Sequence, residues 1–359
     1  MASKRNARVN GKRRTALRGR APATLSDIAR EAGVSKMSVS RAINNLPKIS
    51  AETRARVLKV ADRLNYTPNR HARALTTNRS FLIGIVVPDM MHSFFSEMSR
   101  GIESLTKSAG YQNLVCNTDE DPALEMSEVS ALLPHTDGLI IATTLAPTDT
   151  RFYRRIVKDG AKIVLVDRYL NGVRCPVVRT DDVMAGMLGA EHLINLGHRR
   201  IGYLCGVRTS NALDRFLGYK QALKRHKIPF DPSLVRVSGF PYEETGYEVV
   251  EYWIREGNIP KAVLAFSDPA AIGAMRAASD AGLRVPDDLA IVGCGKIRYG
   301  DLLRVPLTTV GWPPRGIGRA AATLLVEMIN SKRGETRRAG DTIFSPALVV
   351  RGSCGAHIN

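Results

Sequence analysis

The chain predicts an α/β protein in two parts: a small three-helix head of helix-turn-helix type and a large body of doubly wound parallel α/β structure. Three observations carry that prediction. Of a formal net charge of +18 over 359 residues, +15 falls in residues 1–80, which carry 19 basic and 4 acidic side chains against 33 and 30 in residues 81–359. Between Thr24 and Tyr66, short helical segments succeed one another around a Gly33-Val34-Ser35 turn. Beyond residue 80, six apolar runs alternate with segments of helical length. With 44% apolar residues the chain can fill packed cores, which excludes disordered and fibrous classes. The charge split is what results when one module neutralises a polyanion and the other does not, and it points the head at nucleic acid.

Residues 1–22 hold Lys4, Arg5, Arg8, Lys12, Arg13, Arg14, Arg18 and Arg20 with no acid, and cannot fold alone. Two readings stand side by side: a solubilising leader or misassigned start, and a basic arm adding salt-sensitive, sequence-blind affinity for phosphates. Thr24, with Asp27 three residues on, caps a first helix running to about Ala32 with Leu25, Ile28, Ala29 and Ala32 on its apolar face. Gly33 supplies the left-handed conformation that ends it, Val34 plugs the core and Ser35 caps the next helix. That helix covers about Lys36–Asn44, with Val39, Ala42 and Ile43 inward and Lys36, Met37, Ser38, Ser40 and Arg41 outward. A third starts after Ser50, runs through Val57, Leu58, Val60, Ala61 and Leu64 to Asn65-Tyr66, and stops before Pro68. The stretch from Pro68 to Leu75 is basic, alanine-rich and too short to hold a helix by itself in water, so it is read either as a segment that orders against DNA and a partner copy or as an ordinary linker with Leu75 packed on the large domain.

In the body, FLIGIVVP, DGLIIATT, KIVLVDR, RIGYLCG, KAVLAFS and DLAIVGCG read as buried parallel strands. The sequence has no stretch of 18 apolar residues and no signal-peptide core behind its basic start, so neither membrane insertion nor secretion is expected and the cytoplasm is the expected compartment. Cys116, Cys175, Cys205, Cys294 and Cys354 are odd in number, widely spaced and free of CxxC, which fits reduced thiols; no metal site and no cofactor is expected.

The string TLSDIAREAGVSKMSVSRAIN, followed by YTPNRHARALTTNRS, resembles the headpiece and hinge of the lactose repressor/galactose repressor (LacI/GalR) family of bacterial transcription regulators, and the resemblance extends from Thr24 to about Gly352. It implies a helix-turn-helix DNA-binding domain over residues 23–67, a hinge helix and linker over 68–80, and a two-lobed periplasmic-binding-protein-like domain over 81–359 that binds an effector and dimerises. Three crossings between lobes are expected near residues 181, 312 and 341. Lobe 1 then spans about 81–181 and 313–341, and lobe 2 about 182–312 and 342–359.

Base edges in the major groove are read by side chains near the N-terminus of an inserted helix, a requirement that Lys36, Met37 and Arg41 meet. The resemblance gives those three positions operator choice. Thr24, Ser35, Ser38, Ser40 and Asn44 are short donors suited to holding phosphates. In the family the hinge helices enter the minor groove as a pair and lever a leucine between base pairs; Leu75 matches that leucine, with Arg73 beside it. A pseudo-palindromic double-stranded operator requires two heads, hence a homodimer. The chain ends soon after the apolar run SPALVVRG with no appended heptads, so a tetramer of the helical-tail type is not expected.

Effector sites in such folds lie at the carboxyl ends of strands between lobes. Phe94 and Phe95, Asp167 and Arg168, Arg215, and Ser267 and Asp268 sit at strand ends or in the following helix. Singly, the phenylalanines could be core, the aspartates helix caps and Arg215 a bridge between lobes; together they favour a ligand cleft. The resemblance adds that the aromatic pair packs on the ligand and that Arg215 reaches its hydroxyl or carboxylate groups. Two departures bear on the ligand. Gly295 and Lys296 stand where an acidic residue is common, and Trp312 where a polar one is usual. The cleft is expected to lose an acceptor and gain a cation and an indole, admitting a sugar acid, phosphosugar or nucleobase-like ligand alongside a sugar.

Phosphate-loop, dinucleotide, nucleophile-elbow and zinc-protease motifs are all missing from the sequence, which excludes those enzyme classes. The reading is a ligand-responsive DNA-binding regulator, a repressor and not an enzyme. The alternative, a solute-binding protein of the periplasmic type, leaves residues 24–80 without a use.

Overall fold

The computed structural model describes residues 23–43, 46–66, 77, 79–206, 208–237, 242–331 and 340–356. They fall into two compact units, one ending by residue 78 and one beginning at Arg79. The expected roles of residues 1–22, Asn44, Arg73 and Leu75 lie outside the described residues.

The first unit holds α1 (Leu25–Ala32), α2 (Lys36–Ile43) and α3 (Ala51–Arg63). Thr24 and Asp27 close a reciprocal cap on α1: the Thr24 hydroxyl oxygen accepts from the Asp27 amide at 3.3 Å and the Thr24 amide donates to the Asp27 carboxylate at 2.9 Å. Gly33 ends α1 at φ 64, a conformation that costs a side-chain-bearing residue energy. Ser50 caps α3. The core consists of Ile28, Ala29, Ala32, Val39, Ala42, Val57, Val60 and Ala61. Such a set is apolar throughout but small, so caps and turn geometry weigh heavily in holding the helices together.

The second unit contains two six-stranded sheets of like design. In chain order the strands are β1 (Leu82–Val87), β2 (Gln112–Asn117), β3 (Gly138–Ile141), β4 (Ile163–Val166), β5 (Val177–Thr180), β6 (Ile201–Cys205), β7 (Val235–Val237), β8 (Ala262–Ala265), β9 (Ala290–Cys294), β10 (Thr308–Gly311), β11 (Thr342–Phe344) and β12 (Ala347–Val349). The sheets run β11-β5-β4-β3-β1-β2 and β12-β10-β9-β8-β6-β7. The first is parallel throughout; in the second only β12 runs antiparallel to its neighbour β10. Each sheet reverses strand order beside its first strand, the kind of switch point where α/β proteins form crevices.

The strands read from apolar runs are β1, β3, β4, β6, β8 and β9. The edge strand β2 carries Gln112, Asn113 and Asn117 and is largely exposed, and β11 and β12 are three residues each, so none of them presents a buried apolar run. The chain leaves the first sheet after β5 and returns after β10. Its third passage corrects the expected position near 341: β11 pairs with β5 through Thr342–Val178 and Phe344–Thr180, so the crossing falls at Ser345-Pro346.

The helices are α4 (Ser93–Ser108), α5 (Pro122–Leu132), α6 (Arg151–Lys158), α7 (Asp182–Asn195), α8 (Ser210–Arg225), α9 (Glu243–Arg255), α10 (Asp268–Asp280) and α11 (Pro314–Asn330). The close approach of α7 and α8 positions a charged pair. A Cβ on Gly186 of α7 would lie 1.9 Å from the Arg215 carbonyl oxygen, and one on Gly218 of α8 would lie 2.0 Å from that of Val183. Glycine at both positions lets the two backbones touch, which brings Arg215 of α8 onto Asp182 at the head of α7.

Candidate nucleic-acid interface and ligand cleft

On α2, Lys36 and Met37 are exposed, Met37 to 63%, while Arg41 one turn on is half-buried. Val39 and Ala42 face inward and anchor the helix, so its outer surface is free of packing duty. Among the described residues no carboxylate pairs with Lys36 or Arg41; the ion pairs of this unit, Arg30–Asp27 and Arg63–Glu31, lie on α1 and between α1 and α3. The short hydroxyl side chains have local bonds. Thr24 donates to Asp27 at 2.7 Å, the Ser35 hydroxyl oxygen accepts from the Ser38 amide at 3.1 Å, and the two serine hydroxyls lie 3.0 Å apart. A phosphate would share or replace these bonds at helix starts already aimed at an acceptor.

Between the two sheets of the second unit lies a cavity of about 50 Å³. It is built from the carboxyl ends of β1, β2, β4, β8 and β9, from α8, and from the residue that follows β10. The loop after β1 brings Asp89 and His92; the His92 ring nitrogen accepts from the Phe94 amide at 3.2 Å and caps α4, which carries Phe94 and Phe95. Phe94 and Phe95 meet edge to face at 5.1 Å. After β4 the chain turns through Asp167 at φ 63 into Arg168, an unfavourable conformation at a buried, charged position. Ser267 after β8 caps α10, and Cys294 and Gly295 end β9.

The charged groups are buried and mutually paired. Arg168 donates two parallel bonds to Glu120, at 2.7 and 2.9 Å, and a third to the Thr143 carbonyl at 3.1 Å. Arg215 donates to Asp182 at 2.8 Å and to the Phe266 carbonyl at 2.8 Å. Asn211 donates to Asp167 at 2.8 Å. Burial pushes the Asp167 carboxyl up, and raises that of Asp182 to about 7 against the pull of Arg215. Burial, reinforced by the Arg168 and Arg215 charges, lowers His92 to about 4 and keeps its imidazole neutral. Two guanidiniums therefore face Glu120, Asp167 and Asp182, each already bonded to a carboxylate, while the Arg168 Nε is buried without a hydrogen-bond partner among the described residues.

Of the residues expected here, Phe94, Phe95, Asp167, Arg168, Arg215, Ser267 and Trp312 line the cavity. Asp268 does not. Its carboxylate is fully buried and accepts from the Ile297 amide at 2.6 Å and the Thr309 hydroxyl at 2.6 Å, fastening α10 to β9 and β10 behind the cavity wall. Lys296 is corrected as well. Left-handed geometry at Gly295 (φ 130) and Lys296 (φ 54) turns the lysine outward, where it is exposed and lines an outer groove of about 470 Å³ that shares Trp312 with the cavity. The expected extra cation is therefore not in the cleft. Glu120, Asn211 and Tyr242 also line it and were not expected. Glu120 follows the polar edge strand β2, which gave no strand signal. Asn211 opens α8 four residues before Arg215, and its side chain could have been found from that spacing alone.

Among the described residues no helix is long and apolar enough to cross a membrane, and no group of His, Cys, Asp and Glu is placed to hold a metal ion. Residues 24–69 match the family model of bacterial regulatory proteins of the lacI family, and residues 190–354 that of the periplasmic binding protein-like domain. The chain is 35% identical to the HTH-type transcriptional regulator DegA of Bacillus subtilis (strain 168), over 92% of this chain and 97% of that protein. It is 32% identical to the HTH-type transcriptional repressor CytR of Escherichia coli (strain K12), over 93% and 97%. Among solved structures it is similar to the lac repressor dimer bound to operator and the anti-inducer ONPF, with a TM-score of 0.81 and 28% identity over 93% of this chain and 100% of that one. A complex of the transcriptional regulator CelR with cellobiose matches with a TM-score of 0.68 and 27% identity, over 92% and 99%.

Proposed function

Because the chain belongs to the lacI family of bacterial regulatory proteins, we propose that it is a sequence-specific, DNA-binding transcriptional repressor whose grip on a pseudo-palindromic operator is controlled by a small molecule in the interlobe cleft. The observation that carries the reading is the presence, in one chain, of a capped helix with an outward Lys36-Met37 face and a cleft that holds a buried ion pair on each lobe and is bridged between lobes by the Asn211–Asp167 hydrogen bond. Lys36, Met37 and Arg41 read bases. Thr24, Ser35, Ser38, Ser40 and Asn44 hold phosphates, and Arg73 and Leu75 enter the minor groove. The acting form is a homodimer, since one head covers half of a dyad site. Leu114 and Val115 on the edge strand β2, and Leu302 at 82% exposure, are apolar surfaces that a second copy would cover. The protein acts in the cytoplasm, without catalysis and without a cofactor.

Control follows from linkage. A ligand that prefers one arrangement of the lobes shifts the dimer toward it and changes DNA affinity by the same coupling factor. Selection of bound duplexes from random DNA tests the reading: enrichment of an inverted repeat is the expected result, and no enrichment over bulk competitor at moderate salt refutes it.

A further inference from the structure

Trp312 follows β10 at the point where the chain passes between lobes, and it is 5% exposed. Its ring lies 4.7 Å from the Arg215 guanidinium on one lobe and meets the edge of Phe94, on the other, at 6.4 Å. Its indole nitrogen is buried with no partner among the described residues. With the indole in place the cleft retains about 50 Å³, room for a few water molecules and far below the volume that surrounds a ligand of sugar size. The cleft is thus largely filled from within, by a ring that touches both lobes.

We propose that the Trp312 indole is the cleft's own occupant. It holds the lobes together in the absence of ligand, and the molecule that takes its place is a compact planar heteroaromatic. The inference rests on reading the cleft as the effector site. A displacing ligand must regain a face on the Arg215 guanidinium and an edge on Phe94, contacts that a flat ring makes and a puckered sugar does not. A bare anion finds both guanidiniums already held, by Glu120 and Asp182.

The test uses the full chain with Trp312→Ala and indole itself as probe. Truncation is expected to lower the melting midpoint of the body by more than about 5 °C. Millimolar indole should restore at least half of that loss in the variant and leave the wild type unmoved, while glucose and inorganic phosphate restore nothing. A variant that melts like the wild type, an equal indole shift in both proteins, or restoration by phosphate overturns the proposal. Should Trp312→Ala not fold, acrylamide quenching of wild-type fluorescence decides. Trp253 and Trp312, 0% and 5% exposed, must both be shielded, and a readily quenched component overturns the proposal. Indole rescue of the midpoint with unchanged affinity for a selected duplex supports the internal occupant and refutes control of DNA binding by the cleft.

Discussion

In the three-helix head, the side chains assigned to base reading stand outside a core of eight apolar residues, with Lys36 and Met37 exposed. In the body, the side chains assigned to the ligand are themselves buried, and Arg168 and Arg215 hold the cleft's carboxylates through bonds of 2.7–2.9 Å. The contrast is one of coupling. Recognition and folding use different atoms in the head and the same atoms in the body. A substitution on α2 can therefore change what the head binds without changing whether it folds. In the cleft the two effects arrive together.

Arg215→Ala puts that contrast under the greatest load. It leaves Asp182 buried at 2% side-chain exposure without its cation, and should destabilise the body by about 3–5 kcal/mol in calorimetric unfolding. Replacing both partners with apolar residues, as Arg215→Met with Asp182→Leu, should recover most of the loss. If Arg215→Ala melts like the wild type, the cleft does not carry stability and the distinction between the two units fails.

The head supplies the converse. Arg41→Ala should cost about 1–3 kcal/mol of affinity on a selected duplex and relax preference at one base pair, while the melting midpoint changes by the equivalent of no more than about 0.5 kcal/mol. Equal loss on random DNA would assign Arg41 to the phosphates.

How far each unit was legible in the sequence follows from the same contrast. The head is written in local signals: Thr24 and Asp27 are three residues apart, Gly33 ends one helix and Ser35 starts the next, so neighbours in the chain are partners in space. In the body the central strands announce themselves as apolar runs, and the rule that ligands gather at their carboxyl ends located six of the cavity's residues, with Trp312 added by the departure from the family pattern. What escaped depends on distant partners. Nothing near Asp268 says that its carboxylate is taken by Ile297 and Thr309. Nothing near Lys296 says that the backbone turns it away from the cleft, and Glu120 meets Arg168 across 48 residues. The crossing at Ser345-Pro346 was missed because β11 is three residues long with Ile343 half exposed, too little to read as a strand.

Acid titration probes the body more finely. His92 takes up a proton near pH 6.5 when unfolded and only near 4 when folded, so acid favours the unfolded chain across that window. Asp182 and Asp268 act in the opposite sense. Burial raises them to about 7 and about 6, so the folded state holds protons that the unfolded state has released, and stability falls as pH rises from about 4 through those values. His92→Asn keeps a side chain able to cap α4 and removes the opposing limb. At pH 5, relative to pH 7, the variant should gain about 1–2 kcal/mol on the wild type. Parallel pH profiles for the two proteins would mean that His92 titrates normally and is not shielded in the cleft.

The smallest effect belongs to the turn that sets the reading helix. A Cβ at Gly33 would meet nothing within 4 Å, so any cost of substitution there is backbone conformation and not packing. At φ 64, alanine should cost about 1 kcal/mol, and asparagine, which tolerates the left-handed region better, should cost less although it is larger. Hydrogen exchange at the α1 and α2 amides reads this directly, because the head opens on its own core. If the order is reversed, with asparagine worse than alanine, the turn is limited by space. The independence of the head's recognition face from its folding would then no longer hold at the point where α2 begins.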